Sequence, residues 1–324
     1  MQAKIGQDTF TFQGSALETA SEALGELRRS DDACSDYAEL RRRMQEDGYL
    51  FLPGLLDREA VLTARREIAQ RLADAGHLHP DHPSEACIAA PGARIDFLAS
   101  VAQDNPQLDA VLYAGSMMEF YQNFLGGPVR HYDYTWFRVK TPDGRATEPH
   151  YDVVYMGRGT RQLYTSWTPF SDVEMDMGGL MVLENSHRQQ ELISTYGQTD
   201  VDRYCENDAT SHRLLATARE QQRDLTSDER RQVQWQSPTF GAYSPDAVAT
   251  RQTLGGRWLT AEYRMGDLLI FSMYTMHASA DNHTEQIRLS SDSRYQLASE
   301  SIDDRWIGED PPAHGIRAHQ SMIC

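Results

Sequence analysis

His150-Tyr151-Asp152, a second histidine at His277 and an arginine at Arg288 are the residues of this chain best suited to chemistry. Two imidazoles and one carboxylate can occupy one face of an octahedral metal and leave three positions open, the donor set of non-haem ferrous oxygenases. An arginine shortly beyond the distal histidine adds a planar fork that can grip a carboxylate through two hydrogen bonds. The set fits one ferrous ion and one dicarboxylate cosubstrate, and it points to an oxidation.

A His-x-Asp pair alone decides little, because His131-Tyr132-Asp133 repeats the pattern. Position favours the second copy. His131 follows Gly127-Pro128 and opens a strand, whereas His150 follows a turn and precedes two strand candidates leading to Gly178-Gly179. If residues 151–156 are a strand, period 2 sends His150 and Asp152 to one face and Tyr151 to the other. For the distal ligand, His277 stands just past the apolar run Leu268-Leu269-Ile270-Phe271 and ahead of the strand that carries Arg288. His283 in a polar loop, His187 at a strand end and His212 in a polar stretch are weaker choices. His77, His79 and His82 lie among prolines in a loop over 77–92 and read as a flexible surface segment.

These residues need elements to position them. Composition makes 15–48 helix-like, followed by a short strand Tyr49-Leu50-Phe51-Leu52 that Pro53-Gly54 stops. Asp57 is a candidate N-cap for a helix whose Val61, Ala64, Ile68 and Leu72 recur at helical spacing. A further helix is expected from Pro106 to Leu125, ended by Gly126-Gly127-Pro128. Aromatic and β-branched residues then give strand candidates at 132–140, 151–156, 162–170, 179–184, 258–264, 267–273 and 287–297. Many short strands behind a helical N-terminal third predict a mainly β fold, a jelly-roll barrel buttressed by helices. The expected organisation is a single domain over 1–324. Residues 1–128 form the buttress, 129–300 the core, and 301–324 the tail. A polar insertion over 188–256 is too long for a bare loop and reads as a lid or insertion with some helix of its own.

Inward strand positions bear on the substrate. If Arg288 points inward, Ser290, Asp292 and Arg294 follow it, and Trp136 and Arg138 on the first core strand join them. That lining favours a small polar or charged molecule, although Asp292 and Arg294 equally suit a structural ion pair. With 31 Lys and Arg against 48 Asp and Glu the net charge is −17, which argues against a nucleic-acid partner. No apolar run approaches the ~18–20 residues that cross a bilayer, and the first residues lack a signal-peptide core, so no membrane is expected. Four scattered cysteines without a Cys-x-x-Cys pair read as reduced thiols of a cytoplasmic protein.

The segment Asp47-Gly48-Tyr49-Leu50-Phe51-Leu52-Pro53-Gly54-Leu55-Leu56-Asp57 resembles the opening of the phytanoyl-CoA dioxygenase family of Fe(II)/2-oxoglutarate oxygenases. So do Trp167 after His-x-Asp, the run Gly178-Gly179-Leu180-Met181-Val182-Leu183, and the closing segment from Gly266-Asp267 through His277-Ala278-Ser279 to Arg288. Glu184-Asn185 stands where the family carries Pro-Gly. The resemblance covers roughly residues 45–297 and implies a double-stranded β-helix. It implies Fe(II) on His150, Asp152 and His277, with 2-oxoglutarate contacted by Arg288, Ser279 and Trp167 and O2 as the second cosubstrate. Retention of Asp152 disfavours halogenation, whose enzymes put a small residue there. The expected reaction is hydroxylation of an unactivated C–H bond in a small polar metabolite or natural-product intermediate, with release of succinate and CO2. Desaturation or cyclisation at the same iron, or a non-catalytic cupin-like binding protein, are the alternatives.

Overall fold

In a computed structural model of the chain, the described residues are 10–95, 98–142, 144, 146–201, 209–223, 226, 228–229, 241–309 and 311–314. Two short strands, β1 (Thr11–Phe12) and β2 (Ser15–Ala16), precede β3 (Leu24–Glu26) and the first helix, α1 (Tyr37–Asp47). The helix expected over 15–48 is therefore confined to its last third. Composition there is helix-compatible, but backbone pairing wins. Leu24–Glu26 lies parallel to a late strand, and Ser30 donates to the Phe51 carbonyl at 2.8 Å. Asp36 caps α1, accepting from the Glu39 amide, and Gly48 ends it at φ +79°.

Next come β4 (Tyr49–Leu52) and α2 (Arg58–Asp74), capped by Asp57 as expected. The helix expected over 106–125 is broken into α3 (Pro106–Leu112) and α4 (Gly115–Leu125) by a residue at φ +47°, Gly115. The strand expected over 132–140 is shortened to β6 (Trp136–Lys140), preceded by a separate β5 (Val129–His131), and residues 151–156 are no strand at all. They form the helical turn α5 (Val153–Met156). The remaining elements are β7 (Tyr164–Pro169), β8 (Leu180–Leu183), α6 (Gln190–Ser194), α7 (Ala209–Glu220), α8 (Ala247–Leu254), β9 (Trp258–Thr260), β10 (Leu268–Ser272), β11 (His277–Ser279) and β12 (Arg288–Leu297). Residues 188–256 thus carry helices α6 to α8, as the length of that stretch requires. Among the described residues, no helix is long and apolar enough to cross a membrane.

The chain is mainly β with flanking helices. The larger sheet runs β4-β10-β7-β12-β5, with β6 also on β12; the smaller runs β11-β8-β9-β3. Period-2 alternation divides β4 and β10 between two apolar clusters. Tyr49, Phe51, Leu269 and Phe271 join Trp167, Leu180, Val182 and Leu259 between the sheets. Leu50, Leu52, Leu268 and Ile270 face the other way and pack with Leu40, Ile68, Leu108 and Phe124 of helices α1 to α4. Strands buried on both faces explain why Tyr49–Leu52 and Leu268–Phe271 read as unbroken apolar runs rather than alternating ones. Cys34 and Cys87 are free thiols; Cys205 and Cys324 lie outside the described residues.

Candidate metal centre and cosubstrate pocket

His277 opens β11, held in place by pairing opposite Val182. His150 joins it as an isolated antiparallel bridge: each histidine donates its amide to the other's carbonyl at 3.1 Å. Asp152 arrives by a different route from the one expected. It has helical dihedrals and starts α5, its carbonyl accepting from the amides of Tyr155 and Met156. A helical turn, and not strand alternation, therefore swings its carboxylate back beside His150. Tyr151 does point away, donating its hydroxyl to the Ser186 carbonyl at 2.6 Å.

The donor atoms of His150, Asp152 and His277 all lie within 4.8 Å of one another, and all three residues are buried. His150 Nδ1 is 2.7 Å from the Glu148 carbonyl and His277 Nδ1 is 3.0 Å from the Thr275 carbonyl. A carbonyl only accepts, so these bonds assign the proton to Nδ1 and leave an unshared pair on each Nε2. Both Nε2 atoms face Asp152 Oδ1, at 3.8 and 3.7 Å. Burial pushes His150 down to about 3 and lowers His277 as well, so both rings are neutral near pH 7. Burial would raise Asp152, but the Arg294 guanidinium, with the Thr165 hydroxyl, holds it below the usual carboxylate range. Two neutral imidazoles and an anionic oxygen converging from buried residues suit a divalent transition metal. The second carboxylate oxygen, Oδ2, is held separately. It accepts from the Thr165 hydroxyl and lies 3.4 Å from Arg294 Nη2, whose guanidinium sits 3.9 Å over the Trp136 ring.

A second constellation forms at the other end of β12. Arg288 pairs in register with Lys140 on β6, and both are buried. Arg288 donates to the Gly178 carbonyl and its Cζ lies 6.0 Å from the Trp167 ring. Lys140 Nζ donates to Ser279 Oγ at 3.0 Å, and the same oxygen accepts from the Thr147 amide at 2.9 Å. Two buried cations beside a hydroxyl and an indole suit an anion with two or more oxygens.

A family model described as phytanoyl-CoA dioxygenase (PhyH) matches residues 44–290. The chain belongs to that family. Among curated relatives, the 1-deoxypentalenic acid 11-beta-hydroxylase of Streptomyces exfoliatus is 27% identical over 174 residues, spanning 49% of this chain and 60% of the relative. The Streptomyces arenae protein of the same name is 26% identical over the same length. Of solved structures, EctD from S. alaskensis with 2-oxoglutarate and 5-hydroxyectoine superposes with a TM-score of 0.54 at 16% identity, covering 91% of this chain and 89% of that one. The epimerase SnoN in complex with Fe3+, alpha ketoglutarate and nogalamycin RO gives 0.53 at 19% identity, covering 87% and 97%. The carbocyclase SnoK from nogalamycin biosynthesis gives 0.51 at 17%, covering 82% and 85%. At these identities the likeness to solved structures is one of fold.

Within this PhyH-family fold most of the residues singled out in the sequence gather into the two constellations, and some pair differently. Asp292 and Arg294 form no side-chain ion pair, Arg294 Nη1 donating instead to the Asp292 backbone carbonyl at 3.3 Å. Asp292 takes Arg138 Nε at 3.0 Å, while Arg294 reaches the metal-facing Asp152. Trp136 lies beneath Arg294. The alternative pair, His131 and Asp133, is 3.5 Å apart, but His131 stacks on Tyr113 and Asp133 accepts from the Gly308 amide. No third ligand joins them among the described residues. His187 Nε2 lies 3.2 Å from the Gln45 carbonyl and His283 Nε2 lies 2.7 Å from the Thr11 hydroxyl. His212 falls on α7, with its side chain outside what is described. The loop around His77 and His79 is tied down by a bridge between Leu78 and Ala89, so it is not the unanchored segment expected. Lys140 was missed. The signal was there: period 2 from Trp136 and Arg138 continues to position 140.

Proposed function

We propose that the chain is an Fe(II)- and 2-oxoglutarate-dependent dioxygenase that hydroxylates an unactivated C–H bond of a small polar metabolite or natural-product intermediate. One observation carries this reading: two Nε2 lone pairs and one carboxylate oxygen of three buried residues converge, with both imidazole tautomers set for metal binding. His150, Asp152 and His277 hold the ferrous ion. Arg288 and Lys140 take the far carboxylate of 2-oxoglutarate, flanked by Ser279 and Trp167. Iron with bound 2-oxoglutarate supplies the activation of O2, coupled to release of succinate and CO2.

The protein's own part is positional. Thr165 and Arg294 hold Asp152 through Oδ2, keeping Oδ1 turned to the imidazoles. Tyr49, Phe51, Leu269 and Phe271 pack between the sheets and keep water from the interior. The two sheets are read as a double-stranded β-helix, supported by the antiparallel order β4-β10-β7-β12 and the smaller sheet around β8. The free thiols of Cys34 and Cys87 support a cytoplasmic setting, and the acidic charge supports small molecules over nucleic acid as partners. An epimerase and a carbocyclase share the fold. The same iron site also suits desaturation or cyclisation in a biosynthetic pathway.

The test is anaerobic calorimetry with Fe(II) and then 2-oxoglutarate, followed by a succinate-release screen in air. Stoichiometric binding of both is expected. Asp152→Ala should abolish metal binding and substrate-dependent succinate formation, and retained activity in that variant would sink the assignment. Arg288→Ala should weaken 2-oxoglutarate binding at least tenfold, through loss of a charge-assisted bidentate pair, while leaving Fe(II) affinity nearly unchanged.

A further inference from the structure

Ser186 and His187 follow the apolar run of β8, and neither faces the metal centre. β8 ends at Leu183, and Asn185 turns the chain at φ +60°, a left-handed backbone that asparagine tolerates better than most residues. The turn brings Ser186, fully buried, against two segments distant from it in sequence. Its Oγ accepts from the Met276 amide at 2.9 Å, and its carbonyl accepts from the Tyr151 hydroxyl at 2.6 Å.

Both partners adjoin metal-facing residues. Met276 directly precedes His277, and Tyr151 stands between His150 and Asp152. Met276 and Tyr151 are also fully buried, so neither group can turn to water instead. Ser186 is therefore one residue bonded to both halves of the donor set. Main-chain bonds join the halves as well, through the His150–His277 bridge and from the Val153 amide to the Met273 carbonyl. Those bonds set how far apart the two backbones lie. Pinning the far end of the Tyr151 ring adds control of rotation, because that ring points away from the side on which His150 and Asp152 converge.

The turn at Ser186 is itself anchored. His187 Nε2 lies 3.2 Å from the Gln45 carbonyl in the last turn of α1, and a Cβ added to Gly48 would meet the His187 ring at 2.5 Å. The Gly48 carbonyl accepts from the Thr275 hydroxyl at 2.7 Å, and the Thr275 carbonyl is the one that faces His277 Nδ1. The end of α1, the turn at 186–187 and the turn at 275–276 thus brace one another behind the metal-facing side chains.

We propose that Ser186 is a positioning residue of the metal centre. Through Tyr151 and Met276 it locks the His150–Asp152 segment to the His277 segment, so the three donor atoms converge before a metal arrives. This inference rests on the metal-centre reading above.

The test compares Ser186→Ala and Tyr151→Phe, each of which removes one of the two bonds. In the metal-free protein, amide exchange followed by NMR reads the His150 and His277 amides, which bond each other's carbonyls. They should open about tenfold faster in either variant. The amides of β7 and β12 should keep their protection, whereas a general loss of stability would speed all of them alike. Titration with Fe(II) under nitrogen, and with Co(II) for its visible spectrum, reads the donor set itself. Each variant should bind Fe(II) about ten- to a hundredfold more weakly and shift the Co(II) bands. The double variant should lose less than the product of the two single losses, because either break already parts the halves. Unchanged exchange at the bridge, unchanged Fe(II) affinity, or losses that simply multiply would each overturn the inference. If Ser186→Ala folds poorly, Tyr151→Phe still tests the lock. If the unaltered protein binds no divalent ion, the iron reading fails, and the metal-free exchange still decides the part played by Ser186.

Discussion

Asp152 is a ligand held by its spare oxygen. Thr165 lies opposite Arg294 in the register of β7 and β12, and together they hold Oδ2, so that Oδ1 alone faces the two imidazoles. A carboxylate freed of one donor can rotate and offer both oxygens, which would occupy a position the reaction needs open. Thr165→Val, almost unchanged in volume, should weaken Fe(II) binding roughly ten- to a hundredfold. A metal titration followed by Mn(II) competition measures this, and an unchanged affinity would show that the hydroxyl has no hold on the ligand. The three metal-facing residues were legible from type and position, because His150-x-Asp152 follows a turn and leads on to Gly178-Gly179, whereas the other His-x-Asp follows Gly127-Pro128 and opens a strand. Their local geometry was not legible. Asp152 reaches its place through the first turn of α5, a structure that four buried apolar residues, Val153 to Met156, disguise as a strand. Arg294 was assigned to the inner face through period 2, but no pattern along one strand could reveal that its partner is Asp152 from another element.

Among the elements, the turn before β8 carries the most constraint. Gly178 stands at φ +73°, and an added Cβ would meet the carbonyl oxygens of Asp281 and Ala280 at 2.3 and 2.4 Å. Its own carbonyl receives Arg288. Only glycine satisfies both the left-handed backbone and the close approach of a second chain segment. Gly178→Ala should therefore cost at least ~1–2 kcal/mol of stability. It should also displace the Arg288 anchor, so 2-oxoglutarate affinity should fall more than Fe(II) affinity. Urea unfolding and paired calorimetric titrations test the two parts separately, and equal losses for both ligands would refute the local account. Gly178-Gly179 was readable as punctuation, and the strand after it was placed within a residue or two. The stretch before α1 was not, since Leu24–Glu26 is extended only through its pairing with a strand more than two hundred residues away.

For the molecule as a whole, the layering separates what stabilises the fold from what does the chemistry. Helices α1 to α4 cover the outer face of the larger sheet, while the metal-facing triad lies on the other side of the same strands. Phe124 on α4 sits at the junction, stacked on Phe120 and edge-on to Tyr164, the residue before Thr165 on β7. Its removal leaves a cavity in the helical layer and touches the site only through the backbone of one strand. Phe124→Ala should cost about 3–5 kcal/mol, read as a lower urea midpoint. The strand is held independently by six register pairs to β12 and four to β10, so the positions of Thr165 and Asp152 should survive that loss. Fe(II) affinity of the folded fraction should then stay within about twofold, because sites more than one layer away from a cavity respond nearly additively. If Fe(II) affinity instead collapsed while circular dichroism still reported the native fold, the helical layer would be setting ligand geometry as well as stability, and the separation argued from the two faces of β7 would be wrong.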